Sequence, residues 1–157
     1  MSRIILVGKG ASGKSHYAKK MADKGYRINV SYTTRPPRTG ELEGVDYHFV
    51  SEDYFLSLQN GGFFYETVKR KNWWYGTGNS RWEWEDLFIM TPSGIASIKP
   101  EDRKDCFIIY LDIPFEVRRE RLMQRDDADS VERRLASDEE DFADFTDFDV
   151  RFTNPDF

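Results

Sequence analysis

The sequence predicts an α/β fold of three layers: a five-stranded, mostly parallel sheet covered by helices on both faces, with a small inserted mixed β lobe. Three observations predict it. A short apolar run opens the chain and leads through a glycine-rich loop into a helical pattern; further short apolar runs alternate with helical stretches; and residues 33–86 turn to aromatic, turn-rich segments too long for an ordinary connection.

The first strand spans residues 3–7, an apolar run that marks it as buried. Directly after it, Gly8-Lys9-Gly10-Ala11-Ser12-Gly13-Lys14-Ser15 fits the pattern G-x-x-x-x-G-K-[ST]. In such a loop the glycines let consecutive backbone N–H groups point into one concavity, while Lys14 reaches terminal phosphates and Ser15 offers its hydroxyl to Mg²⁺. A helix over residues 15–23, stopped at Gly25, turns its positive end into the same concavity. The loop therefore implies a bound nucleoside triphosphate, held by Gly8, Gly10, Ala11, Ser12, Gly13, Lys14 and Ser15.

Four more strands are expected at residues 27–32, 87–91, 107–111 and 150–153, each short and mostly apolar or β-branched. Helices are expected over residues 114–124, which open on Pro114, and from Ser130 to about residue 145. Phe142, Phe145 and Phe148 form an apolar stripe among acids there, a face that docks on the core. Residues 47–50, 63–69 and 73–76 supply the aromatic segments of the inserted lobe, around a short helix over residues 51–59.

At 157 residues the chain makes a single domain, with a core from 1–32 and 87–157 and the lobe at about 33–86. A net charge of −5 argues against a nucleic-acid platform, which carries a basic excess, whereas small anionic ligands need only a few local cations. No apolar stretch approaches membrane-spanning length and the chain opens without a charged-then-apolar leader, so a cytoplasmic protein with no membrane partner is expected, as a monomer or weak homodimer. Cys106 is alone and is expected at the edge of the core. His16 and His48 have no Cys or carboxylate cluster around them and read as surface or packing residues.

A second anion site is written into Arg35-Pro36-Pro37-Arg38. The prolines fix an extended threefold backbone, so both arginines face one way. Paired guanidinium groups on a stiff backbone suit the oxygens of a phosphate, and Ser31 and Tyr47 add hydroxyl donors. A solvated basic loop beside a Pro-rich turn fits the same four residues.

The whole stretch 30–51, through Gly44-Val45-Asp46-Tyr47-His48-Phe49, closely resembles the nucleotide-binding signature of guanylate kinases. The match continues at Phe63-Phe64-Tyr65-Glu66 and at Asn72-Trp73-Trp74-Tyr75-Gly76-Thr77. The resemblance implies that Arg35, Arg38 and Tyr47 hold the monophosphate of GMP with Tyr75, and that Glu66 and Thr77 meet its guanine. That base assignment is chemically sound: guanine presents adjacent N1–H and N2–H donors, and one carboxylate accepts both, whereas adenine would set a lone pair against it.

Arg118, Arg121 and Arg125 share a helical face, and with Arg133-Arg134 the segment resembles the lid of nucleoside monophosphate kinases, at about residues 124–136. Two arginines of that lid close on the transferring phosphoryl group; by position they are Arg125 and Arg134. Arg118, Arg119, Arg121 and Arg133 read instead as helix-surface cations paired with nearby acids. The segment 151–157 resembles the family's last strand and Asn-Asp turn, which would put Asn154 by the donor adenine; a turn-forming role fits it as well.

Together the resemblance implies a P-loop kinase fold with a helical lid, and phosphoryl transfer from ATP to GMP or dGMP with Mg²⁺, in which Lys14, Arg38, Arg125 and Arg134 surround the phosphates. The chain also departs from the family. Guanylate kinases normally end their third core strand in Asp-x-Asp, then a residue, Gln and Gly; here the place reads Ile89-Met90-Thr91-Pro92-Ser93-Gly94, with neither acid. One of those acids helps organise Mg²⁺ and the other helps read the acceptor, so a broader deoxynucleoside monophosphate kinase stands beside the strict one. Guanylate-kinase-like domains also serve as modules that capture a phosphorylated peptide; the missing acids fit that role, the intact Lys14 and Ser15 do not. The segment between Tyr75 and Leu87, the lid and the final helix are trimmed or absent, a compact form that would suit a virus-encoded enzyme.

Overall fold

The computed structural model describes residues 2–124 and 131–157. In chain order, its elements begin with β1 (Arg3–Gly8), α1 (Lys14–Asp23), β2 (Tyr32–Thr33), β3 (His48–Phe49), α2 (Glu52–Asn60), β4 (Phe64–Arg70), β5 (Trp73–Gly78) and α3 (Asn79–Trp84). They continue with β6 (Leu87–Ile89), α4 (Pro92–Ala96), α5 (Pro100–Arg103), β7 (Cys106–Leu111), α6 (Phe115–Met123), α7 (Val131–Phe142) and β8 (Val150–Phe152).

The core sheet is all parallel, in the order β6-β1-β7-β8. Strand alternation sorts its side chains onto two faces. Ile5 and Val7 join Trp82, Phe88 and Ile108 on one face, while Leu6, Leu87, Ile109 and Leu111 meet Ala18 of α1 on the other. Phe142, Phe145 and Phe148 dock as expected, with ring centroids 5.3–5.5 Å from that of Tyr110. Helix α7 stops at Phe142, three residues before the expected end.

Among the described residues the sheet holds four strands where five were expected. Residues 27–31 give it one parallel bridge, Ile28 to Leu87, with Asn29 N–H on the Leu87 carbonyl at 2.8 Å. The chain then leaves the core, and Tyr32 and Thr33 pair in the other sheet instead. Its departure is fixed beside the returning chain: Asp86 accepts from the Arg27 N–H at 2.7 Å, and Glu85 accepts from the Asn29 amide at 3.0 Å.

The lobe sheet is mixed, ordered β3-β2-β5-β4, with β4 and β5 forming a hairpin through Lys71 at φ 58°. Its own core is aromatic: Phe55 of α2 stacks on Phe64 at 4.5 Å and on Trp74 at 5.7 Å. Gly76 is required there, since a Cβ would lie 2.8 Å from the Phe64 ring. Three short helices, α3, α4 and α5, lie where no helix was expected; α4 starts at Pro92 because the Thr91 hydroxyl caps the Gly94 N–H at 3.0 Å.

Candidate active site

The site begins where β1 hands the chain to the phosphate loop. A Cβ at Gly8 would overlap the Ser12 hydroxyl and lie 2.9 Å from the Leu111 carbonyl oxygen, so only glycine lets the strand end there. Ala11 at φ 61° and Gly13 at φ 94° then curl the backbone through left-handed conformations. The Lys14 ammonium folds back to donate to the Gly8 carbonyl, and Ser15 follows in the first turn of α1. Gly10 N–H points to Asp138 Oδ2 at 2.9 Å.

This loop forms one wall of a cleft of about 860 Å³ whose other walls include Ser31, Arg35, Arg38, Tyr47, Glu66 and Tyr75. Arg35 is only 4% exposed, and its guanidinium makes a bidentate pair with Glu41 at 2.9 and 3.0 Å and a bond to the Pro36 carbonyl at 3.0 Å. Its charge also lies 5.2 Å from the Tyr47 ring centroid. Glu41 holds the turn as well, accepting the Arg38 N–H at 2.7 Å. Burial alone would raise the Glu41 carboxyl, but the bonds from Arg35 and Arg38 outweigh it and hold it below the usual carboxylate range. Burial pushes the Tyr47 phenol up.

Deeper in the lobe, Glu66 and Thr77 are cross-strand partners on β4 and β5, and the Thr77 hydroxyl donates to Glu66 Oε1 at 2.6 Å. Thr77 is 1% exposed. The second carboxylate oxygen, Oε2, lies toward α4, within 3.3 Å of where a Cβ on Gly94 would be. Burial raises the Glu66 carboxyl above its ordinary value, and the Thr77 bond offsets only part of that. Ile89, Met90, Thr91 and Pro92 also line the cleft, with no acid among them.

Most of the residues expected at the site thus come together. Arg134, 9% exposed on α7, reaches the cleft beside Gly10. Arg125 lies outside the described residues. Asn154 does not line the cleft; its Oδ1 accepts the Asp156 N–H at 2.9 Å, the turn-forming alternative. Two expected surface cations are tied inward instead. Arg118 is 1% exposed, bonded to the Ile113 carbonyl at 3.0 Å and to Glu139 at 3.2 Å, and Arg121 donates to the Ala11 carbonyl of the loop at 3.0 Å. Arg119 pairs with Glu132 at 3.3 Å, as expected of a surface cation. His48 lies 3.0 Å from Glu43, and buried Cys106 has its thiol raised by burial to about 11.

Sequence reasoning missed three participants: Glu41, Arg70 and Asp138. Spacing could have found two of them, because Glu41 follows Arg38 by three residues in a turn and Asp138 follows Arg134 by four on one helix face.

A parallel sheet whose first strand feeds a phosphate loop, faced by a lobe with paired arginines and a half-buried carboxylate, defines a P-loop protein of the nucleoside monophosphate kinase class. A family model of guanylate kinase matches residues 1–84. The chain is 31% identical to the guanylate kinase of Legionella pneumophila (strain Paris) over 98% of its own length and 78% of that protein's. It is 34% identical to that of Thiobacillus denitrificans (strain ATCC 25259 / T1), with the same coverage. A crystal structure of guanylate kinase from Anaplasma phagocytophilum shares the fold, with a TM-score of 0.75 at 23% identity over 99% of this chain and 78% of that one. The chain belongs to the guanylate kinase family.

Proposed function

We propose that this protein transfers the γ-phosphoryl group of ATP to GMP or dGMP, giving ADP and GDP or dGDP. The observation that carries the reading is the half-buried Glu66 carboxylate, held through one oxygen by Thr77 across the same cleft as the phosphate loop. A carboxylate in that place accepts the paired donors of guanine and penalises a base that presents a lone pair.

The residue roles follow from charge and reach. Loop amides and Lys14 hold the donor's phosphates, with Gly8, Gly10, Ala11, Ser12 and Gly13 shaping the nest. Arg35, Arg38, Tyr47, Tyr75 and Ser31 hold the acceptor's phosphate; Glu41 and Pro36 take three of the five N–H donors of Arg35, so Glu41 fixes the fan while part of it stays open to the ligand. Arg134, with Arg125 by resemblance, neutralises charge that spreads over the γ-phosphoryl oxygens. The chemistry asks for alignment and charge neutralisation more than for covalent participation.

The donor set fits a Mg²⁺ carried in on the nucleotide. Among the described residues no three His, Cys, Asp or Glu side chains form a metal group, while Ser15 offers a hard oxygen where α1 meets the cleft. When bound, Mg²⁺ would supply charge neutralisation to the phosphates. We further assign the core to residues 1–32 and 87–157, the acceptor lobe to about 33–86 and, by resemblance, the lid to about 124–136, of which 125–130 lie outside the described residues. No helix among the described residues is long and apolar enough to cross a membrane, in keeping with a protein that acts on small nucleotides in the cytoplasm.

The broader deoxynucleoside monophosphate kinase has one observation in its favour: Thr91 lines the base end of the cleft with its hydroxyl committed to Gly94. An ADP-release assay with ATP, Mg²⁺ and each of GMP, dGMP, AMP, CMP, UMP and dTMP separates the readings. Turnover confined to GMP and dGMP is expected. Turnover with several acceptors would replace strict guanine selection with the broader enzyme, and none at all would remove the kinase in favour of a phosphopeptide-binding module.

A further inference from the structure

Arg70, the last residue of β4, spans the cleft. Its Nη2 donates to Asp138 Oδ1 and pairs with Asp141 Oδ2, both at 2.6 Å. Asp138 is 3% exposed, and its other oxygen, Oδ2, accepts the Gly10 N–H of the phosphate loop at 2.9 Å. One carboxylate therefore occupies an amide of the anion nest and passes its second oxygen to an arginine of the opposite lobe. Arg134 converges on the same point: a Cβ built on Gly10 would lie 3.0 Å from Asp138 Oδ2 and 3.7 Å from Arg134 Nη2. The Arg70 Nε–H is buried and has no hydrogen-bond partner among the described residues, an unused donor on a guanidinium that lines the cleft.

We propose that Arg70 is a further phosphoryl-binding residue, and that Asp138 keeps its place at Gly10 until the terminal phosphoryl group of a triphosphate takes it. The proposal rests on the kinase reading. A terminal phosphate drawn to the Gly10 N–H meets a carboxylate already bonded there, and two anions cannot share that amide, so Asp138 is displaced. Arg70 then stands one carboxylate's width from the loop, with its Nε–H still to satisfy. In transfer, an oxygen of the acceptor monophosphate bonds to the γ-phosphorus, the bond from that phosphorus to the β–γ bridging oxygen breaks, and its electron pair stays on ADP. Arg70 and Arg134 face the three oxygens over which charge spreads in between.

Calorimetry with the β,γ-imido analogue of ATP, and with ADP as a ligand lacking the terminal phosphoryl group, tests this on the full chain. Arg70→Gln is expected to weaken the analogue at least tenfold, and Asp138→Asn, which removes the competing charge, to tighten it about fivefold; ADP should stay within twofold in both. A merely structural tie between lobe and α7 predicts shifts of one sign for the two variants. Same-sign shifts, an unmoved analogue in Arg70→Gln, or ADP following the analogue would each overturn the proposal. Circular dichroism is recorded first; should Arg70→Gln fail to fold, the direction of the Asp138→Asn shift decides. A wild-type protein that binds neither nucleotide would overturn the kinase reading itself, a result distinct from all of these.

Discussion

Replacing Glu66 by glutamine isolates base recognition from everything else in the cleft. The substitution keeps the shape and keeps one oxygen to accept the Thr77 hydroxyl, now 2.6 Å from Oε1. It turns the other oxygen into an NH₂ donor facing a donor edge of guanine. The loss is one charge-assisted hydrogen bond, about 1–3 kcal/mol, which at 1.4 kcal/mol per decade weakens GMP about 5- to 150-fold. GMP titrations by calorimetry measure it directly, and steady-state KM for ATP should not move. The fold should hold: burial has raised the Glu66 carboxyl, so its ionised form costs stability at neutral pH and glutamine removes that cost.

The pH dependence carries its own sign. Only ionised Glu66 accepts both guanine donors, and its folded pKa lies above the ordinary 4.5. Wild-type affinity for GMP therefore falls as pH drops through that raised value, while an ordinary carboxylic acid would still be charged. Glu66→Gln lacks the step, and titration of the GMP phosphate cancels in the ratio of the two proteins. GMP affinity within twofold of wild type at neutral pH, or an identical pH profile in the variant, would refute the assignment.

Glu41→Ala leaves the buried Arg35 without its bidentate partner and should cost about 3 kcal/mol in urea unfolding. Because folding lowers the Glu41 pKa, that contribution is complete above its ordinary value of 4.5 and disappears as pH falls through the lower folded value, so wild type and variant converge in acid. Gly13→Ala, at φ 94° with its Cβ 2.7 Å from the Phe157 ring, should cost about 1–2 kcal/mol in backbone strain alone. In thermal unfolding of Gly13→Ala, Phe157→Ala and the double variant, the double variant should lose less stability than the two single variants summed, since removing the ring relieves part of the overlap. Cys106, with its thiol raised to about 11, should resist iodoacetamide at pH 8 in the folded protein and react in urea; mass spectrometry follows the adduct.

Local chemistry made much of this protein legible in its sequence. The run from Arg3 to Ser15 needs no tertiary information, because an apolar strand, a glycine loop and a helix start are each specified by neighbours in the chain. The hairpin bearing Glu66 and Thr77 was equally readable from its aromatic segments and its motif. What the sequence concealed depended on partners far along the chain. Residues 27–32 have strand composition throughout, yet the sheet takes only Ile28 and the lobe takes Tyr32 and Thr33, a division set by where β5 and β6 lie. Arg118 reads as a surface residue on helical spacing, but Ile113 and Glu139 give it bonds that make burial tolerable. Asp138 reads as one acid in an acidic run until Gly10 and Arg70 are brought to it.

The attachment of the lobe has a mechanical consequence. The chain enters the lobe at residues 27–31 and returns at 85–87, and the two passages are bonded to each other through Arg27 and Asp86, Asn29 and Glu85, and Asn29 and Leu87. A body on one tether sweeps a cone; a body on two neighbouring tethers swings along an arc, as a door does on a pair of hinges. On the proposed function, an acceptor nucleotide gripped at its base and phosphate by that body would be carried toward the donor along a restricted path. On that reading, much of the orientational search between two phosphates would be settled when the chain folds.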